Sequence, residues 1–173
     1  MELENLVEIV ETMIVQHDYP GFEARALNLG LPHAALEAPA KVFGEALKHQ
    51  NIFVQLAALR WFQARPGLIK SYLNGVVNLL HSNDEYVRME ATKTLERSGT
   101  TKPEAINKVS VLLKDQNDMV RKAAAKALGK LLSKEPSADE AIIAALREAA
   151  NDPDEQVRWK AQKALRRLGA YAG

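Results

Sequence analysis

The chain has 173 residues, 47% of them apolar and none of them cysteine; that is enough for one buried core and leaves nothing to make a disulfide, a thiolate nucleophile or a cysteine-held zinc. The formal net charge of +1 hides an asymmetry, because residues 1–50 carry eight acids against three bases, −5, which leaves +6 on residues 51–173. No run nears the roughly 18 apolar residues of a membrane span, and the acidic start Met1-Glu2-Leu3-Glu4 lacks the basic opening of a secretory signal, so a cytoplasmic protein without a membrane span is expected.

The first expected element is a helix through Leu3, Leu6, Val7, Val10, Met13 and Ile14, with Glu4, Glu8 and Glu11 on its other side. It reads as a cap over the apolar stripe that follows. Phe22, Ala26 and Leu29 then form a worn copy of the pattern that fills the rest of the chain, so residues 1–36 are assigned to a capping helix and a degenerate repeat. Four copies of the pattern follow, over residues 37–66, 67–99, 102–133 and 137–169, all within one domain spanning 1–173.

Each copy reads as two helices. The first carries Phe43 and Ala46, Val76 and Leu79, Val109 and Leu112, or Leu146 and Ala149, each pair one helical turn apart. Pro39 and Pro103 sit near helix starts, where a missing N–H costs little. The second helix opens on a residue suited to N-capping, Asn51, Asp84, Asn117 or Asp154, three before a valine. Acids follow in three first turns (Glu85, Asp118, Glu155), at the positive end of the helix dipole. The valines Val54, Val87, Val120 and Val157 are spaced 33, 33 and 37 residues apart, and the longer step coincides with a loop insertion at Ser133-Lys134-Glu135-Pro136-Ser137. Four and eight residues beyond each valine stand Ala58 and Phe62, Ala91 and Leu95, Ala124 and Leu128, and Ala161 and Leu165, one stripe of an amphipathic helix. Neither helix buries its stripe alone, so stability is shared between neighbouring pairs.

A period of 33 also suits ankyrin and tetratricopeptide arrays, but their Thr-Pro-Leu-His and Trp-Leu-Gly-Tyr signatures are missing. The arrangement Asp/Asn-x-x-Val-Arg-x-x-Ala-x-x-x-Leu, clear in the copies led by Asp84, Asn117 and Asp154, instead resembles the short bacterial and archaeal HEAT-like repeats also found in phycobilisome lyase families. The resemblance covers about residues 37–169. It implies an all-α fold, a right-handed α-solenoid of about four to five antiparallel helix pairs, and the role of an adaptor or scaffold that holds a protein partner along the second helices. Gln55 stands where Arg88, Arg121 and Arg158 occupy the other copies, which interrupts any Arg–Asp ladder at that end; Thr94 and Ser98 are milder departures.

The second helices carry a candidate binding face. Six residues after the valines stand Arg60, Lys93, Lys126 and Lys163, and ten after stand Ala64, Arg97, Lys130 and Arg167. Two after are Leu56, Met89, Lys122 and Trp159, so apolar groups interleave with charge. A Lys- and Arg-rich helix face also serves solubility alone. As a site, Leu56, Arg60, Met89, Lys93, Lys126, Lys130, Trp159 and Lys163 would meet an acidic protein surface, with Trp159 the expected hot spot.

Catalytic signatures are missing: no His-Glu-x-x-His, no Gly-x-Ser-x-Gly and no phosphate-binding Gly-Lys-Ser/Thr loop. His17, His33, His49 and His81 lack the paired His-Glu motif of the di-iron HEAT-type hydroxylase, and His49 and His81, at the ends of first helices, are expected to satisfy terminal carbonyls. Trp61 and Phe62 read as core. No enzyme, metal or cofactor is expected. Three readings stand: a protein-binding adaptor first, an accessory factor for bilin transfer on phycobiliproteins second, and a nucleic-acid-binding solenoid third. The last is disfavoured by a pI near 7.9 and an aromatic content of 6%. The C-terminal pair, with no polar helix beyond Leu168-Gly169, is expected to leave an outer stripe open to self-association or to a partner.

Overall fold

The computed structural model describes residues 37–134 and 139–171; the expected N-terminal helix and worn copy, and His17 and His33, lie outside the described residues. Within them the chain is an all-α right-handed solenoid. The α-helices are α1 Glu37–Ala46, α2 Ile52–Ala64, α3 Leu73–Asn78, α4 Glu85–Ser98, α5 Pro103–Val111, α6 Asp118–Leu131, α7 Glu140–Ala149 and α8 Glu155–Arg167. They pair as α1/α2, α3/α4, α5/α6 and α7/α8. The closest packing between pairs runs α2 on α4, α4 on α6 and α6 on α8, so the second helices form the tighter layer.

The register of the second helices comes from their caps. Asn51 and Asn117 accept from the N–H two residues on, Phe53 and Met119, while Asp84 and Asp154 accept from Val87 and Val157, three on, all at 2.9 Å. Each satisfies an orphan donor of the first turn. Thus anchored, Val54, Val87, Val120 and Val157, with Ala58, Ala91, Ala124 and Ala161, are wholly buried, and Phe62, Leu95, Leu128 and Leu165 complete the stripe. Phe43, Val76, Val109 and Leu146 close on it from the first helices.

The first helices are shorter. Pro103 does open α5, whereas α3 is preceded by a 3-10 turn, Pro66–Tyr72. Gly67 and Gly75 weaken α-helix here, and the turn sets Tyr72 against Gly44, where a Cβ would overlap the Tyr72 ring. Tyr72 thereby joins Phe62, which in turn packs edge-on to Trp61, and Trp61 stacks on Phe43 at 4.5 Å. Phe62 is fully buried and Trp61 half-buried, so these aromatics fill the core of a pair that lacks the small residues of the later ones.

A ladder of charge pairs ties the loops together. Arg88 grips Asp115 of the next pair through Nε and Nη2 at 2.7 and 2.9 Å, and Arg121 grips Asp152 likewise at 2.7 and 3.0 Å. In each arginine Nη1 turns back to two carbonyls of its own loop, Ser82 and Asn83 or Asp115 and Gln116. The interruption expected at Gln55 is present. Its Nε2 reproduces the backward bond, to the His49 carbonyl at 2.6 Å, while its buried Oε1 has no partner among the described residues. His49 departs from expectation: its Nδ1 accepts from the Asn51 N–H at 3.0 Å instead of donating to a carbonyl. That is the role Ser82, Asp115 and Asp152 play at the same register.

Asp115 and Asp152 titrate below the ordinary aspartate range. Burial pushes both carboxyls up, but the hydrogen bonds from Arg88 and Arg121, those from the Asn117 and Asp154 N–H groups, and the nearby guanidinium charges outweigh it. The folded state therefore binds these protons more weakly than the unfolded chain. Their stabilisation is complete above the ordinary value of about 4 and is lost as pH falls through the lower folded values. Thermal melts should accordingly be level between about pH 7 and 5 and fall steeply below about 4. Asp152→Asn, which has already lost one carboxylate, should show a shallower acid limb; an unchanged limb would remove that rung from the account.

Candidate protein-binding surface

The tight layer of second helices carries the candidate site, and its geometry begins with a glycine. Gly129 of α6 lies against α8 so closely that a Cβ there would stand 2.7 Å from the Ala164 Cβ. Where the backbones approach in this way, the long side chains flanking the contact must rise around it. They enclose a groove of about 600 Å³ lined by Glu96, Lys126, Gly129, Lys130, Ser133, Lys160, Lys163, Ala164 and Arg167. Five of these are bases and one is an acid.

The acid is buried and already in use. Glu96 of α4, 6% exposed at its side chain, takes Lys126 at 3.1 Å and Lys130 at 3.4 Å from α6. At the other interface of α4, with α2, Glu90 is buried and holds Lys93 of its own helix at 3.1 Å, while Gln63 of α2 donates to its other oxygen at 2.7 Å. Between α6 and α8 the link is Lys122 to Gln156 at 2.8 Å. A polar seam thus crosses each second-helix interface, and part of the basic column balances acids within the fold. Towards the C-terminus the balance fails: among the described residues no carboxylate pairs with Lys160, Lys163 or Arg167.

The excess positive charge shows at Lys160. Partial burial lowers its ammonium below the ordinary lysine value, and the charges of Lys126, Lys163 and Lys122 push the same way against Glu96. Trp159 stands beside it, half exposed at 49%, with the Lys160 and Lys163 ammonium groups 4.4 and 4.9 Å from its ring centre. These cation–π contacts hold the indole at the groove's edge.

Of the residues singled out in the sequence, Lys126, Lys130 and Lys163 line this groove and Trp159 borders it. Arg60 is exposed and Lys93 half-buried, and neither lines it; Leu56 and Met89 are half-buried against the core. Sequence spacing missed Lys160 and Glu96. Lys160 lies three residues before Lys163 and shares its helix face, a signal that was available. Glu96 was not legible, because its lysines arrive from the next helix pair.

Among the described residues no helix is long and apolar enough to cross a membrane. A family model described as HEAT repeats matches residues 40–129 and 109–172. The Bilin biosynthesis protein MpeU of Synechococcus sp. (strain WH8020) is 29% identical over 130 residues, 74% of this chain and 43% of that protein. The chain therefore spans less than half of that relative's length. Among solved structures, one engineered protein superposes with a TM-score of 0.62 at 23% identity, covering 76% of this chain and 62% of its own. Another gives 0.62 at 26% identity over 80% of this chain and 41% of its own. A designed armadillo repeat protein in complex with the peptide (KR)4 gives 0.58 at 19% identity, over 73% of this chain and 63% of that one. These structural likenesses concern the fold.

Proposed function

Because the chain belongs to the HEAT repeat family, we propose that it is a non-catalytic cytoplasmic scaffold that holds a protein partner against its second-helix layer, with an acidic stretch of the partner in the groove between α6 and α8. The observation that carries this reading is the concentration of cations that meet no carboxylate among the described residues, Lys160, Lys163 and Arg167, around a groove of about 600 Å³ with a half-exposed tryptophan at its edge. Cations that no carboxylate among the described residues neutralises supply charge complementarity, and Trp159 supplies apolar area that needs little ordering on binding. The remaining bases of the column contribute less, because Glu90 and Glu96 already answer Lys93, Lys126 and Lys130. The same neutralisation weakens the case for nucleic acid, which needs an extended run of unpaired charge to follow phosphates.

A second reading rests on the likeness to a bilin biosynthesis protein: the chain would assist bilin transfer to a light-harvesting protein, the groove cations meeting carboxylates. Capture from a native lysate, with wild type beside the variant Lys160→Glu, Lys163→Glu, Arg167→Glu, tests the first reading. These residues are exposed or half-buried, so the variant should fold, as circular dichroism will show. A protein retained by wild type and lost by the variant, with affinity falling as salt rises, is the expected result. Recovery of the same protein by both would make the groove a solvated surface. A visible absorption shift on mixing with a bilin would favour the second reading.

A further inference from the structure

The outward face of the second helices divides into two bands that cross the stack. One residue before the buried valines stand Phe53, Tyr86 and Met119, and two after them stand Leu56 and Met89. Phe53 and Tyr86 are each 50% exposed, and Met119, Leu56 and Met89 are half-buried. The two positions are three residues apart, which makes them neighbours on one helix face. The last interface shows how adjacent helices meet there: Lys122, two after its valine on α6, bonds Gln156, one before its valine on α8. The equivalent positions at the earlier interfaces are Leu56 with Tyr86 and Met89 with Met119. An apolar band thus follows Phe53, Leu56, Tyr86, Met89 and Met119 across α2, α4 and α6.

The core does not demand this band, since α8 carries the exposed Gln156 at the position of Phe53 and Tyr86. Beside it, seven residues or roughly 10 Å further along each helix, runs the cationic column through Arg60, Lys93, Lys126 and Lys163. The spacing of the two bands describes what fits them. Packed helices lie about 8–10 Å apart, and α2 and α4 each contribute two apolar positions, so apolar groups recur about every 4–5 Å along the band. That is near the roughly 5.4 Å pitch of an α-helix and shorter than the roughly 6.6 Å between same-face residues of a strand. The distance between the bands is likewise close to a helix diameter of about 10–12 Å.

We propose that the two bands together receive an amphipathic α-helix of the protein partner, laid across α2, α4 and α6 with its apolar edge on Phe53, Tyr86 and Met119 and its acidic edge over the lysine column that leads into the groove. The inference rests on the reading of the second-helix layer as a protein-binding surface and adds the chemistry of the partner: an acidic segment with a helical apolar face, not any acidic stretch. Charge steers the approach and sets the register, and burial of the exposed aromatic rings supplies the short-range affinity.

Fluorescence anisotropy with two labelled peptides of roughly 18 residues, long enough as helices to cross three second helices, tests it. One peptide carries leucines at helical spacing along one side with glutamates beside them; the other has the same composition in an order that leaves no apolar face. Wild type should bind the patterned peptide about tenfold more tightly than the shuffled one, and the bound peptide should gain helical circular dichroism. Phe53→Gln with Tyr86→Gln installs the residue that α8 already carries at this register, and should erase the preference with an unchanged melting curve; Tyr86→Gln alone should reduce it. The groove variant Lys160→Glu, Lys163→Glu, Arg167→Glu should weaken both peptides. Equal binding of the two peptides by wild type, binding of neither, or a preference that survives Phe53→Gln, Tyr86→Gln would each overturn the proposal, as would tighter binding to phosphatidylserine vesicles than to the patterned peptide. A lysate protein lost by the groove variant but retained by Phe53→Gln, Tyr86→Gln would overturn it too, and would leave the scaffold reading standing.

Discussion

Arg121→Ala should lower the unfolding free energy by about 3–5 kcal/mol. The side chains of Arg121 and Asp152 are only 14% and 7% exposed, so removing the guanidinium strands a carboxylate that water cannot readily reach. The Asp154 N–H still bonds it, but that bond carries no compensating charge. Arg121 also gathers the Asp115 and Gln116 carbonyls of its own loop, and their release adds to the loss. Against a typical stability of about 5–15 kcal/mol, the effect is large. Urea melts of the single variants and of the double variant Arg121→Ala, Asp152→Ala check it. If the pair acts as a unit, the double variant costs little more than Arg121→Ala alone. A loss under about 1 kcal/mol for Arg121→Ala would class the pair with solvated surface bridges.

Leu128→Ala should cost about 2–5 kcal/mol, whereas Lys126→Ala should change stability by no more than about 0.5 kcal/mol. The two residues sit two apart on α6 and point in opposite directions. Leu128 is wholly buried between helix pairs, and its loss leaves a cavity that neighbours can only partly fill. The Lys126 side chain is 53% exposed, and Glu96 keeps Lys130 when Lys126 is gone. Because each pair lends its stripe to the next, the Leu128 cavity should lower the cooperativity of the whole array, not only of its own repeat. Equal costs for the two substitutions would mean that α6 is turned about its axis relative to the structure.

The repeat register was legible because a helix stripe is a local property. Val120, Ala124 and Leu128 recur at helical spacing, and the caps Asp84, Asn117 and Asp154 are residue types that cap wherever they stand ahead of a helix. The gap at Gln55 was legible for the same reason: arginine is missing from a column that the other copies fill. The candidate site was legible in part. The column through Lys93, Lys126 and Lys163 follows from the period, yet it is not the row of equivalent free charges that the period implies. Its members differ because Glu90 and Glu96 reach some of them and not others, and Lys130 lies 34 residues from the carboxylate it meets.

His49 shows the same limit on a smaller scale. Its place at the end of a first helix suggested a donor to a terminal carbonyl, but the turn of the loop presents it with the Asn51 N–H, and it accepts instead. The chain by itself determined which faces are buried and where helices begin, because capping and amphipathic spacing act over one or two turns. Only the tertiary structure decided which charges meet a carboxylate among the described residues and how close α6 comes to α8 at Gly129. Those depend on the stacking of one pair on the next, which brings together side chains about thirty residues apart whose spacing carries no periodic signal.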